Sequence, residues 1–422
     1  MGKPKIRFKG FDNDWEQRKL SDIAVLTSSK RVHAEDYVET GVPFYRGKEI
    51  SELKEHKPIS EVLYITEYKY NEISSMYGSP KEGDLLITAV GTLGNTWVID
   101  QTPFYFKDGN LIWFKDIKCN PKYLDYAMST ADGQKKILAS AIGSNQKALT
   151  MVKLNELEFM FPGKAEQDKI AEYFSYLDNL ITLHQRKCEE TKKMKKYMLQ
   201  KMFPQNGSKV PEIRFKGFTD DWEQRKLGDS LMSLQNNTLS RADLSNESGV
   251  AKNVHYGDVL IKFGEVLDIS KEQLQMITDE RVLSKYKASF LQNGDVIVAD
   301  TAEDSTVGKC SEIVGLNDEV VLSGLHTIPY RPVENFASGY LGYYLNSDTY
   351  HNQLIPLMQG IKVTSISKSA MQDTDIFYPK SIEEQGKISN YLQSLDHLIT
   401  LHQNKCEELK KIKKYMLQNM FV

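Results

Sequence analysis

The chain has 422 residues, of which 40% are hydrophobic and 26% charged, with a formal net charge of −3 and a pI near 6.3. This composition is typical of a folded protein with two or three cores and excludes a disordered chain. The small negative charge argues against indiscriminate polyanion binding, because nonspecific nucleic-acid affinity comes mainly from neutralised phosphates. The four cysteines form no CxxC pair, and we find no signal peptide and no apolar run of membrane length, so we predict a cytoplasmic protein.

Two blocks of sequence occur twice. Residues 4–20, PKIRFKGFDNDWEQRKL, return with three changes at 211–227, and residues 166–203 return at 384–421. The copies are offset by 207 and 218 residues. Such a long period excludes a solenoid of short repeats and predicts two copies of a unit made of a domain and a helix.

The stretches between the repeated blocks, residues 24–163 and 231–380, are much less alike. Within them, 83–99 and 294–313 each combine a Gly-Asp turn, a short β-branched run and a Gly-rich bend, which predicts strands and turns. Short helices are predicted to follow at 121–140 and 338–354. We therefore predict two α/β (mixed α+β) domains.

Each copy of the second block carries apolar residues in steps of three and four, which predicts a long amphipathic helix. These residues are Ile170, Phe174, Leu177 and Ile181, then Ile388, Leu392, Leu395 and Ile399. A 38-residue helix spans about 57 Å and needs a partner along its length. The obvious partner is its own copy, packed as an antiparallel coiled coil. We then expect the end near Phe421 to approach the start near Lys3, just as Phe203 leads to Pro211.

His184 and Cys188 stand four residues apart on one helix face and recur as His402 and Cys406. Two His and two Cys are ligands that Zn²⁺ accepts, so an antiparallel pair could in principle assemble a zinc site. The same residues also suit the seam of a helix pair, and their recurrence adds nothing because the repeat copies the whole block. We assign all four to the helix-pair interface and predict no metal in this chain.

Two dissimilar domains, each preceded by an FKGFxxDWEQRKL-like segment and followed by a PxxxEQxKIAxxLxxLDxxI-like helix, resemble the specificity (S) subunit of type I restriction-modification systems. The residues that carry this resemblance are Trp15 through Leu20, Trp222 through Leu227, Glu166, Gln167, Lys169, Ile170, Leu177, Asp178, Ile181, Glu384, Gln385, Lys387, Ile388, Leu395, Asp396 and Ile399. The copies differ in that FPGKAEQ is shorter than YPKSIEEQ, which changes the local register only.

The resemblance covers essentially the whole chain and implies its division. Two target-recognition domains and two conserved helical spacers alternate, as residues 1–163, 164–206, 207–380 and 381–422. The implied architecture is a pseudo-twofold tandem repeat, with the two globular domains separated by long helices that pair as an antiparallel coiled coil.

The function that the resemblance implies is the reading of a bipartite asymmetric DNA site, to direct adenine methylation or restriction by partner subunits. The partners would be double-stranded DNA, two modification (methyltransferase) subunits and motor-nuclease restriction subunits. S-adenosylmethionine, ATP and Mg²⁺ would bind those partners, so this chain would be non-catalytic and hold no cofactor. The motif nearest to a methyltransferase signature, CNPKY, is better explained as Asn120 capping a helix that begins at Pro121. The alternative is a duplicated coiled-coil scaffold that binds proteins rather than DNA.

Major-groove chemistry favours Arg or Lys on guanine and Asn or Gln on adenine, so polar residues beside Gly bends and strand ends are candidate base readers. The predicted DNA-binding residues are Arg46, Lys48, Asn95, Gln146 and Lys147 in the first domain, and Asn253, His255, Tyr256, Ser305, Thr306, Lys309 and Lys362 in the second. Each also suits a solvated loop, and phosphate contacts are more frequent than base contacts. For Trp15 and Trp222 we predict packing roles, because residues shared by both halves cannot distinguish two half-sites.

Overall fold

A computed structural model describes residues 3–55, 57–143, 147–205 and 207–422. The chain divides into two compact units, one of Met1–Arg186 with His402–Val422 and the other of Lys187–Leu401. Each unit thus contains one variable domain, the first part of the helix that follows it, and the last part of the helix from the other repeat. Within the described residues, no helix has the length and apolar character needed to cross a membrane.

The first variable domain is built from short strands and short helices. Its strands are β1 (Glu16–Lys19), β2 (Val25–Thr27), β3 (Tyr37–Val38), β4 (Val42–Tyr45), β5 (Leu63–Ile65), β6 (Leu85–Thr88), β7 (Thr96–Val98), β8 (Tyr105–Phe106), β9 (Leu111–Lys115) and β10 (Glu158–Phe161). Its helices are α1 (Leu20–Ile23), α2 (Gly47–Lys54), α3 (Glu67–Tyr77), α4 (Pro121–Ser129), α5 (Ala131–Ala139) and α6 (Met151–Asn155), followed by the long helix α7 (Lys164–Lys201).

Two four-stranded sheets organise this domain, in the orders β2-β9-β6-β7 and β3-β5-β4-β8. The pairs are antiparallel except for β4 with β8. Strand β6 is buried along its whole length, since it lies between β9 and β7. Asn120 caps α4 by accepting from the backbone N–H groups of Lys122 and Tyr123, as its place before Pro121 predicts.

The second variable domain is also built from short strands and short helices. Its strands are β11 (Glu223–Lys226), β12 (Leu231–Ser233), β13 (Leu244–Ser245), β14 (Ala251–Val254), β15 (Val266–Asp268), β16 (Gln275–Ile277), β17 (Val296–Ala299), β18 (Thr301–Ala302), β19 (Cys310–Val314), β20 (Val321–Ser323), β21 (Thr327–Pro332), β22 (Thr364–Ser365) and β23 (Asp375–Tyr378). Its helices are α8 (Leu227–Ser230), α9 (Tyr256–Ile261), α10 (Arg281–Tyr286), α11 (Tyr340–Leu345), α12 (Asp348–Leu354) and α13 (Lys368–Gln372), followed by the long helix α14 (Ile382–Asn419).

The sheets of the second domain run in the orders β12-β21-β17-β19-β15, β13-β16-β14-β20 and β18-β22. Strand β17 is buried throughout and occupies the centre of the five-stranded sheet, whereas β6 is an inner strand of a four-stranded sheet in the first domain. The predicted fold class is therefore confirmed: two mixed α/β domains in tandem repeat, each followed by a helix of 38 residues.

The helix stripes pack as antiparallel pairs within each unit. In the first unit, Ile170, Phe174, Leu177 and Ile181 share one core cluster with Cys406 and Met420. In the second, Ile388, Leu392 and Leu395 share a cluster with Met202 and Phe203. Cys188 is buried beside the half-buried Ile399, its thiol 4.0 Å from that residue's carbonyl oxygen.

The repeated segment at the start of each unit receives the end of the other repeat's helix. The backbone N–H of Ile6 donates to the carbonyl of Asn419, and that of Ile213 donates to the carbonyl of Lys201, both at 2.9 Å. These carbonyls belong to the last residues of α14 and α7, which have no partner inside their own helices. The repeated segments then form β1 and β11, which pair antiparallel with β10 and β23.

Aromatic side chains complete the same junctions. Trp15 lies edge-on to Phe421 with ring centroids 6.4 Å apart, and Trp222 lies edge-on to Phe203 at 6.3 Å. Both tryptophans are only 2% exposed, so the packing role predicted for them is confirmed. The expected approach of the chain's end to its start near Lys3 is also confirmed in the first unit.

Two buried arginine–carboxylate pairs connect the repeated segments to the long helices. Arg7 forms a bidentate pair with Glu166 at 2.7 and 2.8 Å, and Arg214 forms the equivalent pair with Glu384 at 2.7 and 2.9 Å. Glu166 and Glu384 are 2% and 1% exposed. The hydrogen bond to the glutamate raises the pKa of each arginine above its ordinary value, so both arginines are charged throughout the physiological pH range.

A second matched contact joins the two helices of the first unit. Asp178 on α7 accepts from the hydroxyl of Tyr126 at 2.8 Å and from the ammonium of Lys413 on α14 at 2.5 Å. This ion pair links antiparallel helices that come from different repeats.

The second unit has the same contact with one additional carboxylate. Asp396 accepts from the Tyr343 hydroxyl at 2.7 Å and from Lys195 at 2.6 Å, and Lys195 also reaches Glu265 at 2.8 Å. Burial alone would lower the pKa of Lys195, but Glu265 and Asp396 outweigh it and raise that pKa. Burial raises the pKa of Asp396, and Lys195 only partly offsets this effect.

A buried carboxyl group supports the core of the second domain. Glu312 on β19 is 2% exposed and accepts backbone hydrogen bonds from Gly339 at 2.5 Å and Gly342 at 3.0 Å. Burial raises the pKa of Glu312 from 4.5 to about 7, although the two N–H donors act in the opposite direction. The folded state therefore binds a proton here that the unfolded chain releases.

We expect Arg7→Ala to lower the free energy of unfolding by about 3 kcal/mol, because it leaves the buried Glu166 carboxylate without a partner. The matched control is Arg18→Ala in the same segment, whose pair with Glu16 has side chains 50% and 67% exposed. Such an exposed pair contributes less than about 1 kcal/mol. Urea unfolding followed by circular dichroism measures both, and equal losses in the two variants would contradict the assignment.

We expect the stability that Glu312 contributes to be present in full below pH 4.5 and to be lost as the pH rises through about 7, since the folded pKa lies above the ordinary one. Glu312→Gln carries an amide that does not titrate. The difference in unfolding free energy between wild type and Glu312→Gln should therefore fall by on the order of 3 kcal/mol across this window. A difference that stays constant with pH, or rises, would refute the assignment.

Candidate nucleic-acid interface

Three segments of the first domain meet where β6 ends. The backbone N–H of Asn95, in the β6–β7 loop, donates to the Thr88 hydroxyl, and its side-chain amide donates to the Ser51 hydroxyl on α2, both at 2.9 Å. The backbone N–H of Leu149 donates to the carbonyl of Ala89 at 2.9 Å. We call this surface the first tip, and define it as residues 46–51, 89–95 and 147–149.

The equivalent segments of the second domain meet where β17 ends. The backbone N–H of Ile366 donates to the carbonyl of Asp300 at 2.9 Å, and β18 pairs with β22. The ring of Tyr256, the first residue of α9, lies 5.3 Å from the ring of His326. We call this surface the second tip, and define it as residues 255–256, 300–309, 326 and 359–365.

The second tip contains a hairpin, residues 359–365, whose first and last residues exchange two backbone hydrogen bonds of 2.8 and 2.9 Å. At the first tip, Ile142 and Ala148 exchange the same two hydrogen bonds. The first residue is followed each time by a glycine with positive φ, Gly143 at 111° and Gly360 at 113°. A Cβ on Gly360 would lie 2.0 Å from the carbonyl oxygen of Val363, so a side chain there would break the turn. Both tips thus contain an antiparallel bridge followed by a glycine, surrounded by different side chains.

The structure brings four of the five predicted first-domain residues to the first tip, and the fifth, Gln146, lies outside the described residues. Lys48 and Lys147 are exposed, Arg46 is partly exposed, and Asn95 is half-buried with its amide donating to α2. The first tip therefore presents three cations and one inward-facing amide.

Arg46 has a structural partner that limits its freedom. Its guanidinium donates to Glu49 at 2.6 Å, while Glu49 also accepts from the Arg46 backbone N–H and so caps α2. The hydrogen bond to Glu49 raises the pKa of Arg46. Glu61 lies 3.7 Å from Arg46 and 3.9 Å from Lys48, so a phosphate or base at this tip competes with an exposed carboxylate.

The second tip presents a different set of groups. Ser305, Thr306 and Lys362 are exposed, and Tyr256 is half-buried with one edge against His326. Thr306 donates from both its backbone N–H and its hydroxyl to Asp304, which shapes the loop after β18. The second tip therefore presents hydroxyl groups, an aromatic ring and one lysine, together with the exposed carboxylates of Glu303 and Asp304.

The other three predicted residues of the second domain turn inward. Asn253 is 1% exposed and its side-chain oxygen accepts from the Asn237 amide at 2.7 Å. His255 caps α9 by accepting from the backbone N–H of Gly257, and burial lowers its pKa. Lys309 donates to the carbonyl of Leu260 at 2.7 Å, and burial lowers its pKa too. These side chains support the tip from beneath instead of reaching a ligand at its surface.

The sequence did not single out two groups that the structure places beside the tips. His326 has φ of 55°, uncommon for a residue with a side chain, and its ring is held by Tyr256 and Asp300. Arg31 follows β2 and donates to Asp108 at 3.0 Å. The turn motif SGLHT offered a weak signal for His326, whereas the position of Arg31 depends on strand pairing.

The two histidines of the helix pair contact each other in the first unit. The Nδ1 atoms of His184 and His402 are 3.0 Å apart, so one imidazole donates and the other accepts. In the part of the chain that the structure describes, no three His, Cys, Asp or Glu side chains are grouped to hold a metal ion. The histidine contact is accounted for as packing in the helix seam.

The chain thus carries two related, non-identical surfaces, built on the same plan from different side chains. A sequence profile described as the type I restriction modification DNA specificity domain matches residues 12–193 and again 219–411. The chain belongs to this family, and sequence-specific DNA recognition is its function. The resemblance stated from the sequence is thereby confirmed, and nothing in the comparisons supports the protein-binding scaffold.

Full-length relatives have the same architecture. The MjaVIII type I restriction enzyme specificity subunit of Methanocaldococcus jannaschii is 23% identical over 96% of this chain and 91% of its own length. The solved S subunit of the type I restriction-modification system of M. genitalium has a TM-score of 0.60 at 14% identity, covering 100% of this chain and 99% of that one. A chain from a structure of type I R-M complex assembly has a TM-score of 0.52 at 15% identity, covering 97% and 98%. These structures share the fold.

We expect Asn253→Ala to lower the free energy of unfolding by about 1–3 kcal/mol, because the buried Asn237 amide loses one of its two acceptors and keeps only the Ser323 carbonyl. Lys362→Ala, at an exposed position on the same domain, should change stability by less than about 0.5 kcal/mol. Thermal unfolding of both variants measures this difference. If Asn253→Ala instead leaves stability unchanged and impairs only DNA binding, the inward assignment is wrong.

Proposed function

We propose that this chain reads a bipartite, asymmetric DNA site, with the first tip contacting one half-site and the second tip the other. The observation that carries the proposal is the construction of the tips. Both combine the end of a buried inner strand, a helix start and an antiparallel bridge followed by a glycine, but one presents Arg46, Lys48 and Lys147 while the other presents Tyr256, Ser305, Thr306 and Lys362. Different side chains on one framework favour two different base sequences.

The chemistry of the tips supports a division of labour between the halves. Arg and Lys pair with guanine O6 and N7, so the first tip favours a half-site that contains guanine. Hydroxyl groups accept and donate, so Ser305 and Thr306 of the second tip suit several bases or the phosphate backbone. The overall charge of −3 limits nonspecific affinity, and this increases the relative weight of the base contacts.

We further propose that the chain works within a larger assembly as a non-catalytic subunit. Two modification subunits would methylate an adenine in each half-site with S-adenosylmethionine, and motor-nuclease subunits with ATP and Mg²⁺ would restrict unmodified DNA. The repeated blocks support two equivalent docking positions, since they occur once per unit with the same buried contacts. DNA as the substrate favours action in the cytoplasm.

We expect co-expression of this chain with its modification subunit to produce methylated adenines at one bipartite motif, which single-molecule sequencing of host DNA detects. Exchange of residues 231–380 for the same region of another specificity subunit should change one half of that motif and leave the other half unchanged. The matched control exchanges residues 24–163 and should change only the opposite half. A change in both halves after a single exchange, or no motif from an assembled complex, would contradict the proposal.

A further inference from the structure

The hairpin of the second tip exposes apolar side chains to solvent. Ile361 is fully exposed, with a relative accessibility of 102%, and Val363 is 54% exposed. Lys362 stands exposed between them. Single exposed apolar residues are common on protein surfaces, but here two of them flank a lysine on one turn at the tip.

The backbone beneath these side chains is firmly anchored. Gln359 and Ser365 exchange two hydrogen bonds, and β22 pairs with β18 through Ser365 with Thr301 and Thr364 with Ala302. Gly360 makes the tight turn that carries residues 361–363 outward. The structure therefore presents a two-stranded ribbon that ends in an apolar group, beside the loop that carries Ser305 and Thr306.

We propose that Ile361 and Val363 contact the C5 methyl group of a thymine in the major groove of the half-site read by the second domain. This inference rests on the proposed function and adds a base and a chemical contact to it. The major groove admits a two-stranded β-ribbon, and the thymine methyl is the apolar group on its floor. Lys362, between the two apolar residues, lies within reach of the flanking phosphates.

Burial against a methyl group gives Ile361 the apolar partner that it lacks in the free protein. The same contact discriminates thymine from cytosine, which has no methyl group at C5. The adenine to be methylated already supplies one A·T pair in the half-site assigned to the second domain, so the inference adds the requirement that a thymine methyl group faces the second tip. It also requires that the methyl group, and not the base pair as a whole, carries the effect.

The experiment measures binding of the complex with the modification subunit to duplexes that contain the methylation motif. Each thymine of the second half-site is replaced in turn by uracil, which keeps every hydrogen-bonding group and lacks only the methyl. For wild type we expect one replacement to weaken binding about fourfold, the effect of one buried methyl group. For Ile361→Ala combined with Val363→Ala, the same replacement should have no effect.

Two control variants separate this contact from general effects. Val333 is 58% exposed and follows Pro332, the last residue of β21. The second tip lies near Thr327, at the other end of that strand. Val333→Ala should therefore keep the fourfold effect of the thymine-to-uracil change. Lys362→Ala should weaken binding to every sequence alike and reduce the salt slope by about one. Thermal unfolding should be unchanged in all these variants, because none of the removed groups packs in the core.

Several results would overturn the proposal. These are wild-type binding that ignores every thymine-to-uracil change, and a double variant that keeps the wild-type discrimination. Equal loss of affinity for all base sequences in the double variant would replace methyl recognition with an insertion between base steps. Failure of the wild-type complex to bind its motif at all would overturn the proposed function itself, and the inference with it.

Discussion

Each core of this protein is completed by a helix end that comes from the other repeat. Phe421, near the end of α14, lies among Trp15, Tyr123 and Phe174 of the first unit. Phe203, just beyond α7, lies among Trp222, Tyr340 and Tyr344 of the second unit. Neither domain has a complete core from its own repeat alone. This requirement explains why the chain carries the same blocks twice.

The repeated blocks also contain most of the buried charge that fixes the junctions. A bidentate arginine on a buried glutamate demands a defined geometry, because removing either partner leaves an uncompensated charge in a low-dielectric site. Arg7 with Glu166 and Arg214 with Glu384 therefore tolerate little change in their surroundings. The regions between them also contain arginines on buried carboxylates, but Arg46 with Glu49 stands at the start of α2, whereas Arg331 with Asp295 lies on β21. Their sheets also differ in strand number and order. These energetics explain why the contacts between the repeated segments and the long helices are the same in both units, although the domains between them differ.

Much of the fold could be predicted from the sequence because its strongest signals are local. Apolar steps of three and four predict α7 and α14, and the Asn120–Pro121 pair predicts the start of α4. Each long helix begins two residues before its repeated block begins and ends two residues before that block ends. The blocks therefore finish beyond the helices, at Phe203 and Phe421. The two repeated sequence blocks predicted the architecture of two domains, each followed by a long helix.

The tips were less predictable because burial depends on distant partners. Asn253 is polar and lies next to a glycine-containing turn, but β14 places it in the core opposite Asn237. His326 reaches the second tip because two loops about seventy residues apart in the chain contact each other and bring its ring against that of Tyr256. The sequence shows the chemistry of each side chain, but strand register decides whether that side chain points into the core or toward solvent.

The glycine-led hairpin has a consequence for how such a protein can change. Its turn depends on Gly360 and on backbone hydrogen bonds, so the side chains at positions 361–363 carry almost none of the folding free energy. Substitutions there alter what the tip touches without a loss of stability to be compensated elsewhere. New target preferences are thus open to selection through single point mutations, independently of any exchange of whole domains.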